Sequence, residues 1–424
     1  MALESHKKQQ NSNRSLLKTL LILFVSYATV GLCNNGFFSV LPFISEEFSL
    51  TRIQVGYYAA FYFSSAALLA IISGSIVDRF GPKKSILAGM SCMGIILFCY
   101  GMITSYQIIL FLAVLAGLGM STLTPSVIRG VSMVAPLEKQ AFYLGTVQSG
   151  YCVGSIIGPA VLPLIAFHLN WRISIQIAAI TTLLIGLLTY LIYQEQKATK
   201  HIGINGTQGI GILKNTDSID REISFKDGLS DILNNKSLLM VCILGIVFGT
   251  AEGSTFSHFT VFLNEDMGLD KVISGLGFAL LYIGGVIGMA SLGWISDNFF
   301  KNKRKSLLFL IGLFAGIMFL VFGFLSHNLQ ISPFLIAVFA FLSGIVVIGW
   351  PGAYFVVVGI LAGEKYAGMA TGLAVLFIRT GIFLAPILFG YIADLNGNYQ
   401  NSWLSFGLLI ILISILYLFK INRA

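Results

Sequence analysis

Charge is scarce in this chain of 424 residues. Asp, Glu, Lys and Arg together make up 10% of it, against about 25% in an ordinary soluble domain. So few charges cannot clothe a chain this long in water, so the solvent for most of it is lipid. Cysteine is scarce too. Cys33, Cys92, Cys99, Cys152 and Cys242 all fall inside apolar stretches without metal-ligand spacing, and read as small apolar packers. No metal or other cofactor is expected. A Gly-rich phosphate loop ending in Lys-Ser/Thr is missing, which argues against a nucleotide-driven pump. No catalytic constellation is present, so the chain does not read as an enzyme.

What is abundant is apolar length: 56% of the residues are hydrophobic. Twelve stretches long enough to cross a bilayer stand out, near 17–43, 53–77, 84–104, 107–128, 141–166, 172–193, 237–263, 273–296, 306–326, 332–360, 366–392 and 402–420. The first is too long for a signal-peptide core and no small-residue cleavage site follows it. The expected fold is therefore an all-α membrane protein of twelve transmembrane helices.

The formal net charge of +8 does not call for nucleic acid, because its distribution is topological. With the N-terminus inside, the cytoplasmic segments hold Lys7, Lys8, Arg14, Arg79, Lys83, Lys84, Lys301, Lys303, Arg304, Lys305, Lys420 and Arg423. The outer loops hold Arg52, Arg172 and Lys271 against Glu46, Glu47, Glu265, Asp266, Asp270 and Asp394. This asymmetry predicts cytoplasmic termini and a cytoplasmic, or inner, membrane.

One polar stretch, 194–235, is long enough to be a linker, and it divides the chain into 1–193 and 236–424. Its end, "SFKDGLSDILNN", predicts a short amphipathic helix behind Ser224. The two parts repeat each other. "SEEFSLTRIQVGYY" (45–58) aligns without gaps on "NEDMGLDKVISGLG" (264–277), an offset of 219, and the same offset carries "GSIVDRF" onto "GWISDNF". Further on, "GSIIGPAVLPLI" faces "GIFLAPILFGYI" and pairs Pro159 with Pro386. Two pseudo-symmetric six-helix bundles suit a carrier that rocks about a central site.

The loop between the second and third spans, "GSIVDRFGPKKS", resembles the cytoplasmic loop motif of the major facilitator superfamily. The resemblance assigns that motif to Gly74, Asp78, Arg79, Gly81, Lys83 and Lys84, with Pro82 where many members carry a basic residue. A degenerate second copy comprises Gly293, Asp297, Lys301, Lys303 and Arg304. Gly81 and Pro82 permit the tight turn. Gly74, Asp78, Arg79, Gly81, Lys83 and Asp297 are expected to form a conformational latch, Asp78 meeting the positive end of a neighbouring helix in one state; the bland alternative is that the basic residues only hold the loop inside. "GYCVGSIIGPAVLP" is similar to the family's Gly-xxx-Gly-Pro motif at Gly154, Gly158 and Pro159. The fourth span keeps Gly117 and Gly119 but has Ala113 where many members have an arginine, which counts against a drug/proton antiporter.

Two ionisable groups lie deep in the spans, Arg379 in "AVLFIRTGIFLAP" and Glu252 in the seventh span. Each costs roughly 2.5–3.5 kcal/mol to insert, so each implies a partner or a watery cavity. Either they pair structurally, or Arg379 receives an anionic group of a substrate while Glu252 takes and releases a proton. The guanidinium fork suits carboxylate or phosphate. The oxalate/formate antiporter branch of the resembled family also uses a basic residue on this span. Asn34, Asn35, Gln148, Ser149, Tyr58 and Tyr62 lie at depths suited to a cavity lining, as do Thr255 and His258, the last reading as a satisfied polar residue. Asn34, Asn35, Gln148 and Tyr58 are the substrate-contact candidates beside Arg379.

The expected function is proton-coupled uptake (symport) of a small organic anion or zwitterion by a monomeric secondary carrier working by alternating access. Its partners are the substrate, protons and lipid, with no nucleic acid. The rival within transport is efflux of a drug-like or siderophore-like compound. A rival of another class is a transporter-fold sensor or receptor, against which the short polar tails count.

Overall fold

The computed structural model describes residues 2–136, 139–193, 234–300, 303–326 and 332–421. The linker up to 233, with the amphipathic helix expected there, lies outside them. Twelve helices follow in order among the described residues: α1 (Ala2–Phe48), α2 (Arg52–Phe80), α3 (Pro82–Tyr100), α4 (Tyr106–Val134), α5 (Gln140–His168), α6 (Trp171–Ile192), α7 (Lys236–Glu265), α8 (Lys271–Asn298), α9 (Arg304–Leu325), α10 (Pro333–Val347), α11 (Pro351–Asn396) and α12 (Gln400–Ile421). Among the described residues, eleven segments are long and apolar enough to cross a membrane. The remaining helix, α2, has 29 residues and at 1.5 Å per residue reaches roughly 43 Å, more than the apolar layer requires.

Helix and span part company at one place. The expected tenth and eleventh spans correspond to the apolar segments Pro333–Gly363 and Met369–Asn396. The tenth is broken within itself: α10 ends at Val347 and α11 begins at Pro351. Proline at the first helical position has no N–H to bond and can start a helix but not continue one. The turn between the two spans is made at Gly363, whose φ of 68° would strain a side-chain-bearing residue.

The chain forms two compact units. The first comprises Met1–Leu50, Phe61–Gly206 and Asp270–Ala279; the second comprises Thr51–Ala60, Thr207–Leu269 and Leu280–Ala424. Against the division expected from the linker, two short pieces are exchanged: the first turns of α2 belong with the C-terminal helices, and the first turns of α8 with the N-terminal ones.

The sequence repeat reappears as packing. In the first unit α1 lies on α5, and a Cβ on Gly154 would overlap the carbonyl oxygen of Ala28. In the second α7 lies on α11, where a Cβ on Gly249 would overlap the Ile378 carbonyl and one on Gly381 the Ile246 carbonyl. Lipid offers no hydrophobic drive between helices, so small residues that let backbones approach supply the association. The exchanged pieces follow suit. Gly56 packs on the carbonyl of Pro386, and its 219-residue counterpart Gly275 packs on the carbonyl of Pro159.

Candidate functional site

In the second unit the glycine contacts of α7 with α11 decide where the two deep charges lie. Gly249 abuts Ile378, the residue before Arg379, and Glu252 follows Gly249 by three positions on its helix. Arg379 is exposed and Glu252 half-buried. Arg379 is a charged neighbour felt by Glu252, yet among the described residues no salt bridge joins them, and no hydrogen bond of either side chain is present. The permanent structural pair weighed above is not formed.

About one and a half turns further along α7 the side chains behave differently. His258 is fully buried: Nε2 donates to the Pro386 carbonyl at 2.8 Å, and Nδ1 lies 3.3 Å from the Tyr399 hydroxyl. A carbonyl only accepts, so the ring proton sits on Nε2 and Nδ1 accepts from Tyr399. Burial pushes the Tyr399 hydroxyl well above its ordinary range, the Glu265 carboxylate adding to the effect and Arg52 opposing it, so the hydroxyl remains a donor. The ring also stacks on Phe389 at 5.2 Å. These contacts occupy both nitrogens. By contrast the buried hydroxyls of Ser254 and Thr255 have no hydrogen-bond partner among the described residues.

The first unit holds a polar cluster where α1 meets α5. Asn34 Nδ2 donates to the Tyr151 hydroxyl at 2.7 Å; Asn35 Nδ2 donates to Ser155 Oγ at 2.8 Å and more weakly to Tyr151 at 3.3 Å. Tyr27 extends the cluster, its ring 5.4 Å from that of Tyr151 and its hydroxyl 3.1 Å from Thr124 Oγ1. Asn35 is wholly buried, which makes it a brace between helices, while Asn34 keeps 7% of its surface. The sequence reading missed Tyr151 and Ser155. They stand in "GYCVGSIIGP" beside Gly154, so a residue facing α1 could have been inferred from the glycine stripe.

The other candidates are scattered. Gln148 is half-buried, and Ser149 is exposed with its hydroxyl turned back onto the Thr146 carbonyl at 2.7 Å. Tyr58 is buried in the second unit, and Tyr62, in the first, sets its ring edge-on to Phe38 at 6.4 Å. In the loop motif, Gly81 takes a φ of 81° just before α3, Arg79 lies over the Phe80 ring and Lys83 over that of Tyr190. The side-chain surroundings of Gly74 and Asp78 lie outside the described residues. In the second copy Asp297 accepts from Arg304 at 2.8 Å across the α8–α9 turn, a local ion pair rather than a contact with a helix end.

A doubled set of apolar helices, with an unpaired deep arginine in one unit and a braced amide pair in the other, defines a multi-pass membrane transporter rather than an enzyme. The chain belongs to the Major Facilitator Superfamily, whose family model matches residues 23–331. It is similar to the Hexuronate transporter of Bacillus subtilis, with 21% identity covering 93% of this chain and 92% of that protein. It is also similar to the Probable sulfoacetate transporter SauU of Cupriavidus necator, with 24% identity covering 95% of this chain and 93% of that one. In fold it matches the crystal structure of a bacterial homologue of the human lysosomal transporter Spinster, with a TM-score of 0.75 at 15% identity and 97% of each chain covered.

Proposed function

We propose that this secondary transporter takes up a small organic anion across the cytoplasmic membrane together with protons, with both of its termini on the cytoplasmic side. The observation that carries the reading is the exposed, unpaired Arg379 beside a half-buried Glu252. A guanidinium binds carboxylate, sulfonate or phosphate through two parallel donors. The hexuronate and sulfoacetate specificities in the names of two relatives are of the same anionic class. Glu252 supplies the coupling. As a carboxylate it competes with the substrate for Arg379; protonated, it releases the arginine, so proton and anion load together.

The test is uptake into proteoliposomes under an imposed pH gradient, with labelled glucuronate, sulfoacetate and a panel of carboxylates and phosphates. Gradient-driven accumulation of an anion is expected, and its loss in Arg379→Gln. Accumulation of none of the panel, or unchanged uptake by that variant, would overturn the reading.

A further inference from the structure

The break inside the tenth span leaves polar groups at membrane depth that the proposed mechanism does not use. The first backbone hydrogen bond of α11 runs from Tyr354 N to Trp350 O at 3.1 Å, so the N–H groups of Gly352 and Ala353 have no helical acceptor. Trp350 is the N-cap residue of this helix, 3% exposed, and its indole Nε1–H has no hydrogen-bond partner. A buried indole N–H ordinarily finds a partner, and irregular backbone within a bilayer persists where it is enclosed by protein or lines a cavity.

Two contrasts single this place out. In the other half of the chain, Pro125 stands 226 residues before Pro351, yet α4 runs through it unbroken. Proline therefore does not by itself impose the break. Trp403 also has an unpartnered indole in the first turn of α12, but it is walled by the rings of Phe259, Phe262, Phe319, Phe322 and Phe389, and at that helix start the side chains of Asp266 and Asn398 accept from the N–H groups of Tyr399 and Gln400. Trp350 instead stacks its face on Phe248 at 5.1 Å and 18°. An indole N–H lies in the ring plane, so that stacking leaves it uncovered by Phe248; the Tyr354 ring stands perpendicular to the indole at 5.4 Å and gives the N–H no hydrogen-bond acceptor.

The break is also at the level of the charges. Phe248 precedes Glu252 by one helical turn. Counted from the Gly363 turn, Trp350 is 13 residues back and Arg379 16 residues ahead, about 20 Å and about 24 Å at 1.5 Å per residue. Both belong to the second unit.

From this we infer that Trp350, with the free N–H groups of Gly352 and Ala353, forms a second polar subsite. It receives an acceptor oxygen of the organic anion whose charged end lies on Arg379. Uncharged donors at the positive end of a helix suit a hydroxyl, carbonyl or second acidic oxygen. The subsite therefore selects anions bearing a further oxygen function over simple monoanions. This rests on the reading of Arg379 given above.

The test compares Trp350→Phe, which keeps a ring against Phe248 and removes the donor, with the unmodified protein. Binding of glucuronate, sulfoacetate and acetate is titrated on purified protein, with the melting temperature as a folding control. The expected result is at least tenfold weaker binding of glucuronate or sulfoacetate, unchanged acetate binding and an unchanged melting temperature. As a second measurement on unmodified protein, the Trp350 indole N–H resonance of nitrogen-15-labelled protein is expected to shift on saturation with the bound anion. Affinity within twofold of the unmodified protein, or an unmoved indole resonance at saturation, would overturn the subsite and leave the Arg379 reading standing. No binding of any anion by the unmodified protein would remove both.

Discussion

Arg52 Nη2 lies 3.1 Å from Glu265 Oε2, and the 219-residue offset of the repeat returns the arrangement with Lys271, the counterpart of Arg52, on Glu46, the counterpart of Glu265. Arg52 carries the first turn of α2 and Glu265 ends α7. Asp394 completes the junction by accepting the N–H groups of Arg52 and Ile53 at 2.8 and 2.9 Å, where a carboxylate meets the positive end of α2. The Arg52 side chain is 20% exposed and that of Glu265 32%, so the pair falls between the surface and buried cases. Arg52→Glu is expected to destabilise the protein by about 1–3 kcal/mol, and the double variant Arg52→Glu/Glu265→Arg to recover most of it. Thermal denaturation in detergent checks this, and an absence of recovery would show that the two residues act separately.

Glycine substitutions are expected to split into two groups according to what faces them. Gly154→Ala and Gly249→Ala press a Cβ onto backbone of a neighbouring helix, which cannot turn aside as a side chain can. Both are expected to lose folded protein outright, read as the monodisperse fraction on size-exclusion chromatography. Gly145 and Gly372 face nothing within 4 Å. Alanine there removes unfolded-state freedom and is expected to be neutral or to stabilise by about 0.4–1 kcal/mol.

These contacts also mark how far the sequence could be read. The apolar spans and the repeat were legible because each is carried by apolar length or by self-similarity, both local properties of the chain. That Glu252 and Arg379 stand within apolar spans followed by counting residues. Their separation did not, because it depends on how the Gly249 and Gly381 contacts rotate α7 against α11. Arg52, Glu265 and Asp394 were read as topological charges only; their network joins segments more than 100 residues apart, and no spacing announces it. The break at Ile348–Trp350 had a signal in "IGWPG", which the apolar length of the span concealed. Tyr151 was visible in the motif, but its bonds to Asn34 and Asn35 needed the α1–α5 crossing.

His258 is expected to matter for stability and not for coupling. Both ring nitrogens are engaged by groups that do not change charge during transport, the Pro386 carbonyl and the Tyr399 hydroxyl. Tyr399→Phe removes one buried hydrogen bond and is expected to lower stability by about 1–2 kcal/mol, with the pH profile of uptake superimposable on that of the unmodified protein. A shifted profile in this variant would bring His258 into the proton path.

Glu252 gives the sharpest expectation, because its two charge states act oppositely on Arg379. Ionised, it draws the guanidinium and opposes an incoming anion; neutral, it does neither. In the unmodified protein anion affinity is therefore expected to rise as the pH falls. Glu252→Gln imitates the neutral state, so its affinity is expected to match the acidic limit and to lose its pH dependence. Exchange of labelled for unlabelled anion across the bilayer needs no net proton movement and is expected to persist. Accumulation driven by a pH gradient is expected to fall at least tenfold. Glu252→Asp, which keeps a titratable group on a shorter stem, is expected to retain part of that accumulation. Paired measurements of exchange and gradient-driven uptake in one proteoliposome preparation separate these outcomes. Loss of both activities in Glu252→Gln with normal folding would place the carboxyl in anion binding, and retention of both would assign proton coupling to another group.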